Sequence, residues 1–134
     1  MNRCTAALDV GVGAKCGPHS TPMYLEIRTY SLKPGTRAEF LRLMFEVSLP
    51  LLASFGIIVV DSGVSLVDEP GQEAAYLIRA FSSLEQHQQQ EEAFYGSADW
   101  RDGPREEILT MIESYHSVVI NASSEAVAAL TLGQ

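Results

Sequence analysis

Glu26 and Arg28 alternate with Tyr24 and Tyr30 in the stretch "YLEIRTY", and Arg79 sits at the centre of "YLIRAF". A guanidinium holds carboxylates and enolates through a fixed fork of donors, and a neighbouring carboxylate fixes its orientation. In this combination Arg28 and Arg79 would hold an anionic or enolised ligand. Tyr24, Tyr30 and Tyr115 would shape the walls around it. His116, in "SYHSVVI", would move protons, since imidazole exchanges them near neutral pH. A bland reading stands beside each assignment. Glu26, Arg28 and Arg79 also suit an ion-pair cluster that only fixes architecture. His116 also suits a hydrogen-bonded sheet histidine.

A second concentration of chemistry lies in "EEAFYGSADWRDGPREE", residues 91–107. Phe94, Tyr95 and Trp100 fall within seven positions of a chain with 8% aromatic residues, so their clustering is not a matter of composition. One reading makes Tyr95, Trp100 and Arg101 a lid over a pocket. The structural reading makes the stretch a connection between helices. Phe94 then anchors the end of one helix in the core, and Trp100 plugs the gap beside it.

Other chemistries find no support in the spacing. Cys4 and Cys16 both precede the first patterned segment, and Cys16 with His19 forms a lone C-x-x-H pair without a second pair downstream. A metal centre needs three or four ligands, so none is expected. "GVG" at 11–13 has no helix after it, and no phosphate-binding or nucleophile-elbow motif occurs, so no cofactor is expected.

The elements that must position these residues follow from periodicity. Residues 24–30 alternate with period two and read as a strand, with Leu25 and Ile27 on one side and Tyr24, Glu26, Arg28 and Tyr30 on the other. Thr36 with Glu39 reads as a capping box, opening a helix through Phe40, Met44, Val47 and Leu51. Pro50 should kink its last turn and Gly56 should end it. Residues 57–67 read as a strand bent at Gly63, and 74–81 as its hairpin partner. Ser82 and Ser83 cap a helix running to Tyr95, and Pro104 opens another, running to Ile112. A last strand covers 114–120. The order predicts an α+β, ferredoxin-like βαββαβ antiparallel sheet with helices on one face. The apolar side of the first strand is expected to meet those helices. Glu26, Arg28 and Arg79 then share the helix-free face, which pairs with a second copy into a dimeric α+β barrel.

The totals frame this domain. The chain has 134 residues, enough for a single domain with a modest core. A net charge of −8 argues against nucleic acid and anionic membrane partners. No apolar run is long enough to span a bilayer, and the N-terminus makes a poor signal peptide, so the expected compartment is the cytoplasm. The expected organisation is an N-terminal arm over 1–22, a domain over 23–121 and a tail over 122–134. Met23 is expected to be the natural start.

"YLEIRTYSLKPGTRAEFLRL", "LPLLASFGI", "YLIRAFSSLEQ" and "FYGSADWRDGPREEILTMIESYHSVV" together resemble the NIPSNAP family, over roughly residues 23–120. The resemblance implies a dimeric α+β barrel and a poorly defined activity. One departure stands out: where relatives often read "SLEER", this chain reads "SLEQHQQQ", with His87 in the basic position. The implied fold is also similar to that of cofactor-free monooxygenases of antibiotic biosynthesis and of muconolactone-isomerase-like proteins, an analogy that does not carry function. Two expectations follow. One is a homodimer that binds a small anionic or aromatic molecule, with cofactor-free oxygenase or isomerase chemistry if it is an enzyme. The other is a non-catalytic protein–protein interaction module.

Overall fold

The computed structural model describes residues 21–131. Cys4, Cys16, His19 and nearly all of the expected arm lie outside the described residues, and Pro22 already belongs to the first strand. The elements run β1 (Pro22–Leu32), α1 (Arg37–Leu43), a π turn (Met44–Ser48), α2 (Leu49–Ser54), β2 (Ile58–Val64), β3 (Glu73–Phe81), α3 (Leu84–Tyr95), α4 (Ala98–Arg101), α5 (Arg105–Met111), β4 (Ile112–Ser123) and α6 (Ser124–Leu130). The four strands form one sheet in the order β2-β3-β1-β4, and each neighbouring pair is antiparallel.

The expected barrel is not formed. The sheet is open, with β2 and β4 as its two edges and no pairing between them. Closing a sheet on itself takes about eight tilted and staggered strands, and four cannot satisfy that geometry.

Local chemistry sets several boundaries. Thr36 stands at the start of α1 but does not form the expected capping box; its hydroxyl donates to the Lys33 carbonyl at 2.7 Å instead. Ser83 does cap α3, its Oγ accepting from the Gln86 N–H at 2.9 Å. Gln86 reaches back to accept from the Ser82 N–H at 2.7 Å, so two otherwise orphaned donors are satisfied. Pro50 cannot donate to the Glu46 carbonyl, and its ring crowds that oxygen. The helix answers with a π turn just upstream, over Met44–Ser48. Gly56 adopts φ +78° after α2, a conformation costly for any residue with a Cβ, and turns the chain into β2. The irregularity in β2 falls between Val59 and Asp61, not at Gly63.

The sheet sorts its residues by parity. The main core packs Phe40, Leu52, Ile57, Leu77, Phe81 and Phe94 between one face and helices α1–α5. A smaller cluster of Leu25, Val60, Ala80 and Val127 lies on the opposite face, under α6. Tyr30 and Leu32 belong to the main core and Leu25 to the smaller one. The expected orientation of β1 is therefore reversed: Glu26, Arg28 and Tyr30 point toward helices α1–α5, and Leu25, Ile27 and Thr29 point away. The reason lies in α3, which aims His87, Glu91 and Tyr95 at the charges of β1 and β3.

Candidate functional site

Register brings the charges together. Glu26 is directly opposite Arg79 across the β1–β3 pair, and Arg28 is opposite Ser117 across β1–β4. Helix α3 lies over them. His87, Glu91 and Tyr95 recur at i, i+4 and i+8, which places them on one stripe of the helix.

The result is a buried network with short contacts. Glu26 Oε1 accepts from Arg79 Nη2 at 2.8 Å and Glu26 Oε2 from Arg28 Nη2 at 2.8 Å. Arg79 Nη2 also lies 2.8 Å from Glu91 Oε2, although that oxygen engages no directed hydrogen bond. The Tyr95 hydroxyl accepts from Arg79 Nη1 at 2.9 Å and from Arg28 Nη1 at 3.1 Å. Arg28 Nε donates to Ser117 Oγ at 2.8 Å, and its guanidinium lies over the Tyr115 ring at 4.8 Å. Arg79 is wholly buried and Glu26 is 1% exposed, so this is not a solvated surface pair. Buried charges survive only when paired and hydrogen-bonded, which these are.

The two carboxyls differ in kind. Burial pushes Glu26 up, but a hydrogen bond with Glu91 and the charges of Arg79 and Arg28 outweigh it and hold Glu26 down at about 2. Burial, then the hydrogen bond to Glu26, pushes Glu91 up to about 7. Two adjacent carboxyls in a low-dielectric site divide their protons in this way. With Glu91 protonated, two guanidiniums face a single carboxylate, and the cluster carries net positive charge.

This network forms one side of a pocket of about 400 Å³ between the sheet and the helices. Arg28, Tyr30 and Tyr115 line it from the sheet, and Glu91, Tyr95 and Trp100 from the helical layer. Leu52, Leu77 and Ile108 complete an apolar body, and the exposed Arg105 also borders it. Ser48, from the π turn, lines the same space. Its side chain is buried, and its Oγ has no hydrogen-bond partner among the described residues. An apolar cavity with a few fixed polar groups is the usual form of a small-molecule site.

The sequence-predicted residues divide into three groups. Arg28, Tyr30, Tyr115 and Trp100 line the pocket, while Glu26 and Arg79 form the network beside it. Trp100 is also a core residue, 5.3 Å from both Phe94 and Tyr95 between ring centroids, so it serves as plug and wall at once. Tyr24 shares the face but pairs with Phe81 and Asn121 and does not line the pocket. Arg101 is exposed on α4 and does not line it either, whereas Arg105 does. His116 pairs with Thr29 and so projects from the opposite face to Arg28. A role as the base of this pocket is out of its reach.

Sequence reasoning did not nominate Ser48, His87 or Glu91. The i, i+4, i+8 stripe of polar residues ending at Tyr95 was the available signal. It was masked because a helix as polar as "LEQHQQQEEAFY" reads as solvent-facing. Glu26, His87 and Glu91 also place ligand-type atoms within 4.8 Å of one another. That grouping is tertiary, since Glu26 comes from the sheet and the other two from α3. Both Glu26 oxygens and one Glu91 oxygen already lie 2.8 Å from guanidinium nitrogens, and a cation there would meet two fixed positive charges. The geometry favours an anion beside the cluster over a cation within it.

The chain matches the NIPSNAP family model over residues 25–124. Among solved structures it is similar to a NIPSNAP family protein from Agrobacterium tumefaciens, with 17% identity, a TM-score of 0.66, and coverage of 73% of this chain and 90% of that one. It is also similar to a second NIPSNAP family protein of unknown function from the same organism, with 22% identity, a TM-score of 0.65, and coverage of 80% and 92%. A protein from Nitrosomonas europaea, provisionally described as an antibiotic biosynthesis monooxygenase, matches with 20% identity, a TM-score of 0.54, and coverage of 75% and 89%. At these identities the likeness is one of fold. No curated protein matches. Among the described residues, no helix is long and apolar enough to cross a membrane. This chain belongs to the NIPSNAP family.

Proposed function

We propose that this protein binds a small anion with an aromatic or branched apolar body in the pocket between the sheet and α3. The observation that carries the reading is Arg28. It is tied down by Glu26, Tyr95 and Ser117, lies against Tyr115, and still borders the cavity. A guanidinium immobilised before the ligand arrives loses little entropy on binding it. The tyrosines and Trp100 offer flat apolar walls, and Arg105 adds a second positive charge.

Trp100 is the only tryptophan of the chain, so its fluorescence reports on the pocket directly. Benzoate, phenylacetate and salicylate should quench it saturably and raise the melting temperature by mass action. Arg28→Met should weaken that binding by roughly tenfold or more, the loss of a charge-assisted contact worth about 1.5–3 kcal/mol. Equal binding by the variant, or no binding of any of the three by wild type, would remove the reading.

The homodimer forms part of the same proposal. On the face away from α1–α5, Ile58, Val118 and Ile120 are 48%, 55% and 44% exposed, with Ile27 and Ile78 half-buried between them. Helix α6 covers only the end of that face around Leu25 and Ala80. An apolar sheet surface of this kind is suited to a second copy of the chain. The same surface favours the second reading, in which the protein docks a different partner there and the pocket is secondary. Mass measurement in solution at micromolar concentration separates the two, since a monomer would leave the face to another protein.

A further inference from the structure

Glu91 has a position that ligand binding alone does not use. It borders the pocket beside Arg28, with Arg28 Nη2 3.8 Å from its Oε1. Its Oε2 is buried, lies 2.8 Å from Arg79 Nη2, and has no directed hydrogen bond. His87 Nε2, itself without a hydrogen-bond partner among the described residues, lies 3.6 Å from that oxygen, on a side chain 23% exposed. A carboxyl beside two guanidiniums at a cavity wall, with a partly exposed imidazole 3.6 Å away, is equipped to take a proton and give it up again. Ser48, across the apolar lining, supplies a buried hydroxyl with no hydrogen-bond partner among the described residues, open to a molecule in the cavity.

We propose that Glu91 is a catalytic acid–base residue and that the pocket tautomerises enolisable aryl 2-oxo carboxylates without a cofactor. The substrate class follows from the lining. The carboxylate and the developing enolate suit Arg28 and Arg105, the ring suits Tyr30, Tyr115 and Trp100, and an ionised Glu91 is a base beside a carbon acid. In the first step the C3–H bond breaks and its proton goes to a Glu91 oxygen. The C–H electron pair becomes the C2=C3 double bond, and the carbonyl π pair moves onto oxygen, where Arg28 offsets the charge. Glu91 then returns the proton to that oxygen, giving the enol, or to carbon, restoring the oxo acid. Atoms and electrons balance within the substrate and Glu91, and no oxidant or reductant enters.

The proposal rests on the binding reading but fails separately from it. Phenylpyruvate serves as the probe. Its affinity is read from Trp100 fluorescence, and exchange of its C3 protons in deuterated buffer is read by proton NMR. Wild type should accelerate exchange about a hundredfold or more over buffer, and Glu91→Gln should lose that acceleration while still binding phenylpyruvate. The rate should rise with pH as Glu91 ionises near 7, under the influence of His87 on its own helix, Glu26 and Arg28 on β1, Arg79 on β3 and the Tyr95 hydroxyl. If Glu91→Gln does not fold, Glu91→Asp should, and its shortened carboxyl should exchange at least tenfold more slowly than wild type at unchanged affinity. Bound phenylpyruvate that exchanges no faster than in buffer overturns the proposal and leaves the binding reading intact. So does a Glu91 variant as fast as wild type. Failure to bind phenylpyruvate, with benzoate or salicylate still bound, overturns the substrate class alone and with it this proposal.

Discussion

The two faces of the sheet invert the usual division of residues. The face under α1–α5 buries Arg79 and Glu26 and sets the half-buried Arg28 and Glu91 against a cavity, while much of the opposite face leaves isoleucine and valine exposed. Hydrophobic burial alone would have sorted them the other way. Both departures cost stability in the isolated chain, one through desolvation of charge and the other through hydration of apolar area. The covered face keeps its charges because each is answered by another within 2.8 Å, which fixes Arg28 and Glu91 beside the pocket. The open face has no such internal answer, and its apolar surface fits a partner instead. One sheet thus presents two different surfaces, a charged pocket wall on one side and an exposed apolar area on the other.

The strongest way to break this comparison is to remove a charge from the covered face. Arg79→Met leaves Glu26 buried with only Arg28, and should lower unfolding stability by about 3–5 kcal/mol in urea titrations. A single variant as stable as wild type would mean that the network is solvated.

A smaller effect comes from pH. The Glu26 carboxyl is held below its ordinary 4.5, so the stability it contributes is present above 4.5 and is lost as pH falls toward 2. Glu91 has the opposite sign: its contribution is full below 4.5 and is lost as pH rises through about 7. Its neighbours in this titration are His87 from its own helix, Glu26 and Arg28 from β1, and Arg79 from β3. Urea midpoints should therefore drop between pH 5 and pH 8 in wild type and drop less in Glu91→Gln. Identical slopes for the two proteins would mean that Glu91 titrates as an ordinary surface carboxyl.

The smallest change in stability should come from the open face. Val118→Lys places a charge on a half-exposed edge-strand position, and monomer stability should move by no more than about 0.5 kcal/mol. The proposed dimer, where it forms through this face, should nonetheless fall to the mass of a monomer in solution. A Val118→Lys protein that stays dimeric would place the interface elsewhere.

Much of this was legible in the chain. Period-two alternation in "YLEIRTY" and "YLIRAF" located β1 and β3 and grouped Glu26 with Arg28, and Leu77 with Arg79 and Phe81, because alternate residues of a strand must share a face. Ser83 and Gln86 marked the start of α3, since a hydroxyl before a helix satisfies donors that the helix cannot. Phe94 was identifiable as an anchor and is buried. Which face the charges occupied was not legible. An apolar and a polar side of β1 imply burial of the apolar one, and only the helix that lies across them reveals the polar partners that make the reverse possible. His116 was misplaced for a related reason: alternation puts Tyr115 and His116 on opposite faces, but only the pairing of Thr29 with His116 tells which of them meets Arg28.

By itself, then, the sequence determined the elements, their order and the residues that must move together, because these depend on local periodicity, capping and proline or glycine geometry. The tertiary structure decided that the sheet stays open, that α3 completes the network with His87, Glu91 and Tyr95, and that the π turn delivers Ser48 to the cavity. Each of those outcomes depends on groups from distant segments meeting in a low-dielectric interior, where the energy of a charge or a hydroxyl is set by its neighbours in space rather than along the chain.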